Sequence, residues 1–263
     1  MDLELSVEFA NTAIPNCWVK VDKPALADSG GHSHDGNRPM GRRFVYPINS
    51  NDTSDFLIKQ TDANGKLRFR YVASQFGGVE RITARLVSDT TSFDTLSLIT
   101  RVPGLDSLGS GDHYVLVGAP NNWAQTNDSC RPSPPVSQHF KNHYGTQRLH
   151  QAVQQIAARY DSLYPGIRLR VNDMSIVFGG GFDTRNGWMA DIVDQYPTNT
   201  KKCNDHGHCS HRQGLHADIG WTGLNQSGSC VSIDKDKLRE IIEDITGNKS
   251  FVEGDHEHIT VSP

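Results

Sequence analysis

Histidine and aspartate are concentrated in one short run, His211-Arg212-Gln213-Gly214-Leu215-His216-Ala217-Asp218. His211 and Asp218 stand seven positions apart with a glycine between them. A second imidazole cluster, Asp255-His256-Glu257-His258, lies near the C-terminus. Catalytic zinc takes three protein ligands and keeps one position open for water. His211, Asp218 and one histidine of the second cluster make such a set, and histidine with a single carboxylate suits zinc best among divalent ions. On a strand, His256 and His258 project from the same face because they are two residues apart. One can bind metal while the other points into the same pocket. Asp255 lies three positions before His258 and Glu253 five. Zinc lowers the pKa of a bound water toward neutrality, and a nearby carboxylate takes its proton as attack begins.

The pattern His-x6-Asp followed by a distant His-x-His resembles the zinc peptidases of the lysostaphin, D-Ala-D-Ala peptidase and penicillin-insensitive murein endopeptidase group. The run His208-Cys209-Ser210-His211 through Gly214 to Asp218-Ile219 is most similar to the murein endopeptidase branch, which carries His-x-Ser-His-x-x-Gly-x-x-x-Asp-Ile. The resemblance covers residues 143–263. It implies zinc held by His211, Asp218 and His258, with His256 stabilising the tetrahedral intermediate or moving protons. His208 would be an accessory residue of the pocket. Asp255 matches the acidic residue three before the last ligand in the carboxypeptidase branch and is the first choice as general base. Glu253 is the second, and in the endopeptidase branch a histidine occupies that upstream position, so the two remain alternatives. The implied fold is α+β: a small antiparallel sheet with flanking helices carrying the zinc site. The implied substrate is a peptide of cell-wall peptidoglycan, including unusual D-amino-acid linkages, and the implied location is extracellular or periplasmic.

Elements to position these residues are legible in the second half of the chain. From Tyr144 the apolar period turns helical, with Leu149, Val153, Ile156, Ala157, Tyr160 and Leu163 on one face, and Pro165-Gly166 stops the helix. Ile167–Val171 and Met174–Phe178 read as strands, and Gly179-Gly180-Gly181 lets backbone pass close to a site. The strand Ile219–Trp221 runs out of the metal motif. Asp234 caps a helix carrying Leu238, Ile241, Ile242 and Ile245, with Gly247 past its end. Phe251–Val261 reads as one final strand. Residues 183–210 form a polar loop, in which Trp188 and Tyr196 either line a substrate cleft or pack over a core.

The first half is different. Leu3, Leu5, Val7 and Phe9 alternate with polar residues as a half-buried strand does. Cys17–Val21, Phe44–Ile48, Glu80–Val87, Thr95–Val102 and His113–Ala119 add further strands. Asp55–Gln60 and Lys66–Val72, joined through Thr61-Asp62-Ala63-Asn64-Gly65, read as a hairpin, because Asn-Gly tolerates positive φ. Many short strands with Gly-rich turns point to a β-sandwich. The run Thr61 to Tyr71, followed by Ile82-Thr83-Ala84, resembles bacterial immunoglobulin-like modules, which act as spacers or binding domains and would place the chain on a surface or a protein partner. The expected organisation is an immunoglobulin-like β-sandwich over 1–120, a Pro-rich linker over 121–142 and a zinc peptidase domain over 143–263.

Composition narrows the alternatives. The chain has 263 residues, 36% of them apolar, and a formal charge of -4 from 26 basic and 30 acidic residues. No basic stripe marks a nucleic-acid partner, and no apolar run approaches a membrane span. Met1–Val7 does not read as a signal peptide. The five cysteines allow at most two disulfides and leave one thiol. Cys203 and Cys209 with His206 and His208 would make an alternative structural zinc knot, but their spacing lacks the usual Cys-x2-4-Cys, and a disulfide or two thiols fits better. His32, His34 and Asp35 read as a polar loop before a metal site, and His206 and His216 as neighbours of the ligands or surface residues. The competing reading from another class is an adhesion or binding protein with a non-catalytic peptidase-like domain. A zinc peptidase acting on proteins is the third.

Overall fold

The computed structural model describes residues 1–22, 25–28, 43–74, 76–117, 130, 142–180, 211, 213–253 and 256–263. They form two compact units that divide after Thr100. The described residues are rich in strand and include two helices, an α+β composition.

The first unit contains β1 (Asp2–Ser6), β2 (Glu8–Phe9), β3 (Thr12–Ala13), β4 (Trp18–Val21), β5 (Ala25–Asp28), β6 (Arg43–Val45), β7 (Thr53–Ser54), β8 (Leu57–Gln60), β9 (Lys66–Val72), β10 (Gly78–Leu86) and β11 (Phe93–Thr100). One antiparallel sheet runs β1-β9-β6-β7; the other runs β11-β10-β4-β8, with β5 also on β10. Side chains alternate along β9, so Leu67, Phe69 and Tyr71 are buried and Arg68 and Val72 exposed. With Phe44 they meet Val19, Val21, Leu57, Ile82 and Ala84 of the other sheet in a single core. Alternation along β10 also turns Glu80 inward, where it accepts a hydrogen bond from the Tyr71 hydroxyl.

Two expectations for this unit change. The Asp62–Lys66 turn exists, with Gly65 at φ 71°, but it does not close a hairpin. β8 pairs with β4 and β9 with β1 and β6, so the turn carries the chain from one sheet to the other. The reason is local: the Val7 amide donates to the Gly65 carbonyl at 2.9 Å, and a Cβ on Gly65 would lie 2.9 Å from the Val7 carbonyl oxygen. The turn is thus docked on the chain after β1, and the returning strand pairs there. Phe9 is 77% exposed rather than inward, because the chain turns back at Ala10 and Asn11, both at positive φ, and β2 pairs only with β3.

The second unit contains β12 (Asp106–Ser107), β13 (Tyr114–Leu116), β14 (Tyr144–Gly145), α1 (Gln147–Leu163), β15 (Arg168–Val171), β16 (His216–Leu224), β17 (Cys230–Ser232), α2 (Lys235–Thr246), β18 (Phe251–Glu253) and β19 (His256–Thr260). Its main sheet runs β13-β15-β16-β19-β18, with β17 on β16. Only β13 and β15 are parallel; the other pairs are antiparallel. Thr146 caps α1 by accepting from the Leu149 amide, and Asp234 caps α2 by accepting from the Lys237 amide, while Gly247 ends α2 in the left-handed region. Leu149, Val153, Ile156 and Tyr160 of α1 and Leu238, Ile241 and Ile242 of α2 bury against Leu169, Val171, Ala217, Ile219 and Ile259 of the sheet. Each fully buried aliphatic side chain contributes roughly 1.5–3 kcal/mol relative to exposure. The opposite face of β16 and β19 is left for polar residues.

Here too the structure departs from expectation. The strand at 114–116 belongs to this unit, since it pairs with β15, so the units divide near residue 100 and not at 120. Met174–Phe178 is not a strand; Ser175 makes only an isolated bridge to Tyr144. Leu163, at the end of α1, is 51% exposed. Residues 251–261 hold two antiparallel strands, β18 and β19, not one. Apart from Cys130 and Asn142, the proposed linker lies outside the described residues. A disulfide joins Cys130 to Cys230 at the start of β17, and Cys17 is a thiol.

Candidate metal centre

The centre is assembled by the pairing of β16 with β19. Their register sets His216 opposite Thr260, Asp218 opposite His258 and Gly220 opposite His256. All six positions fall on one face, because residues two apart on a strand share a side. The intervening Ala217, Ile219 and Ile259 bury in the core on the other face. The apolar alternation that stabilises the sheet thereby fixes where the polar residues point.

His211 reaches the group from a turn before β16. The Gly214 amide donates to the His211 carbonyl at 3.1 Å, and Gly214 sits at φ 67°. A Cβ there would lie 3.1 Å from the Gly145 Cα, and the Thr146 amide donates to the Gly214 carbonyl. Glycine is needed both for its backbone angle and for this close approach. The turn is thus seated against the residue that caps α1.

His211, Asp218 and His258 are 1%, 0% and 3% exposed. One potential ligand atom from each falls within 4.8 Å of the others. Asp218 Oδ1 lies 2.9 Å from His258 Nδ1 and 3.5 Å from His211 Nε2. The His211 and His258 rings are edge-to-face, 4.9 Å between centroids. His256 Nε2 lies 3.5 Å from Asp218 Oδ2, an oxygen with no hydrogen-bond partner among the described residues. Burial by itself raises the Asp218 carboxyl, but His211, His258 and His256 around it outweigh that and hold it well below the usual carboxylate range. A buried carboxylate facing two imidazoles at these distances is a donor set that could hold a metal ion.

His216 Nδ1 lies 3.0 Å from His258 Nε2 and 2.9 Å from Thr260 Oγ1. Burial, followed by the neighbouring His258 and His211, pushes the His216 imidazole down to about 3, so it is neutral near pH 7. Beyond Asp218 on the same face, Gly220 leaves room for the buried Arg170. A Cβ there would lie 3.1 Å from the guanidinium, which donates to Thr222 Oγ1.

The structure therefore brings together His211, Asp218, His256 and His258 of the expected site. Asp255 and His208 lie outside the described residues, as do His32, His34, Asp35, Trp188, Tyr196, Cys203, His206 and Cys209. Glu253 ends β18 opposite His256, and its side chain lies outside the described ones. Glu257, between the two histidines, points to the other face and is fully buried. It accepts from Arg239 at 2.7 Å, Trp221 Nε1 at 3.2 Å and Ser250 Oγ at 2.9 Å. Strand alternation in His256-Glu257-His258 already carried that signal. That His216 shares a face with Asp218 was also open to the two-residue period before Asp218. The Cys130–Cys230 bridge was not, since the two are 100 residues apart. No protein-family model, no curated protein and no solved structure matches this chain.

Proposed function

We propose that the second unit is a zinc-dependent peptidase. The observation that carries this reading is the convergence of His211, Asp218 and His258, from a turn and two strands, into one buried group with His256 alongside. The motif spacing and its resemblance to the murein endopeptidase branch add the substrate class, peptides of cell-wall peptidoglycan. Zinc supplies Lewis acidity and an activated water in such a site. His211, Asp218 and His258 hold the ion, and Asp218 contributes the negative charge. His256 shares their face and, as the least buried of these four, meets the substrate carbonyl and stabilises charge developing on its oxygen. Asp255, or Glu253, takes the proton of the attacking water. The first unit serves as an immunoglobulin-like module that positions the enzyme on a wall, a surface or a protein partner. Its two antiparallel sheets around one core support that reading. Among the described residues no helix is long and apolar enough to cross a membrane.

A second reading draws on the near-complete burial of the three ligands: a closed, structural ion in a binding protein. Incubating the zinc-loaded chain with purified peptidoglycan and with denatured protein, side by side, separates the readings. Release of peptides from peptidoglycan that His211→Ala abolishes supports the cell-wall enzyme. Cleavage of the protein alone reassigns the substrate. No hydrolysis of either by a fully loaded, folded chain sinks the peptidase and leaves the structural ion.

A further inference from the structure

The candidate ligands account for one nitrogen of His258 and leave the other in contact with a residue that the motif does not use. His258 offers Nδ1 toward Asp218 and turns Nε2 to His216 Nδ1, 3.0 Å away. An imidazole that gives one nitrogen's lone pair to a metal carries its proton on the other. His258 Nε2 is then the donor, and His216 Nδ1 must accept. His216 is consequently fixed as the tautomer protonated on Nε2. Thr260 Oγ1 stands 2.9 Å from the same Nδ1, so the hydroxyl borders that nitrogen from a second side. His216 and Thr260 are direct cross-strand partners, immediately next to the Asp218–His258 pair. The strand register that assembles the ligands thus also builds their support.

We infer that His216 is a positioning residue for the metal centre: through its Nδ1 it orients the His258 ring and holds that ring in the tautomer whose Nδ1 is free to ligate. This inference rests on the metal reading of the site. Partners of ligating histidines typically change metal affinity by about 10–100-fold when removed.

The test uses the whole chain and zinc itself. A long-range proton–nitrogen spectrum of the zinc-loaded, histidine-labelled protein reads each tautomer directly. It should show His258 protonated on Nε2 and His216 bare on Nδ1. Zinc affinity, measured by chelator competition, should fall about 10–100-fold in His216→Leu. It should return to within a few-fold of wild type in His216→Asn, whose amide oxygen replaces Nδ1 as acceptor. A proton on His216 Nδ1, or a folded His216→Leu that binds zinc as wild type does, overturns the inference while leaving the metal site intact. Wild-type protein that takes up no zinc removes both. If His216→Leu does not fold, the wild-type tautomers decide the matter alone.

Discussion

Asp218 and His258 are direct cross-strand partners, and the carboxylate Oδ1 of one lies 2.9 Å from Nδ1 of the other. They stand 40 residues apart in sequence. Their contact depends on the register of β16 against β19, and a slip of β19 by one residue would turn His256 and His258 to the apolar face. The site and the sheet are therefore one structural unit: what stabilises the register also assembles the ligands.

Metal content tests this first. Wild-type protein freed of any affinity tag should hold about one zinc ion per chain and His258→Ala none, because two protein ligands do not retain the ion. Elemental analysis after dialysis against zinc and then against buffer reads both. Zinc retained by His258→Ala at wild-type stoichiometry would place the ion elsewhere, for example at Cys203 and Cys209.

The disulfide is expected to matter for stability. Cys130 and Cys230 close a loop of 100 residues, and removing a link of that length typically costs about 2–5 kcal/mol by restoring freedom to the unfolded chain. Cys230→Ser should lower the denaturant midpoint accordingly under oxidising conditions, and a reductant should do the same to wild type. A midpoint unchanged in both would show that the link contributes nothing to stability.

Glu257 tests the division of labour between the two faces of β19. Arg239 is its principal partner, at 2.7 Å. Arg239→Leu leaves a buried carboxylate short of its countercharge and should cost on the order of 3 kcal/mol. Adding Glu257→Gln should recover much of that loss, since the amide needs no countercharge. Urea titrations of the single and double variants measure the coupling, and strictly additive losses would contradict it.

Acid sensitivity follows from His143. This imidazole is fully buried, with Nε2 3.2 Å from the Val171 carbonyl oxygen. Burial pushes it below its ordinary value of 6.5, against weaker opposing effects of that carbonyl and of Asp173. The fold keeps it neutral while the unfolded chain takes up a proton near 6.5. Its stabilising contribution is therefore complete above that pH and declines as pH falls below it. Denaturation midpoints of metal-free protein should drop between pH 7.5 and 5.5, and His143→Gln should flatten the slope. An equal slope in the variant would assign the acid sensitivity to another group.

Much of the second unit could be read directly from sequence. The 3.6-residue apolar period, the Pro165-Gly166 stop and the caps Asp234 and Gly247 mark the two helices, because these signals are local to each segment. The two-residue period marks the faces of β16 and β19, and with them the shared side of His256 and His258. His211, Asp218 and His258 stood out as candidates because ligand chemistry restricts the residue types and motif spacing restricts their order, and the fold brings them into one buried group.

Tertiary pairing decided the rest. Nothing in the run from Asp55 to Val72 says that β8 and β9 join different sheets. Local turn chemistry at Asn64-Gly65 is compatible with a hairpin, and only the docking of Gly65 against Val7 selects the crossing. Likewise, residues 114–116 resemble any short strand until β15 offers them an edge. Sequence separation also hid the Cys130–Cys230 link and the contact of His216 with His258. Both depend on which strands lie side by side and in what register, and that is set by burying whole faces at once, a property no local window contains.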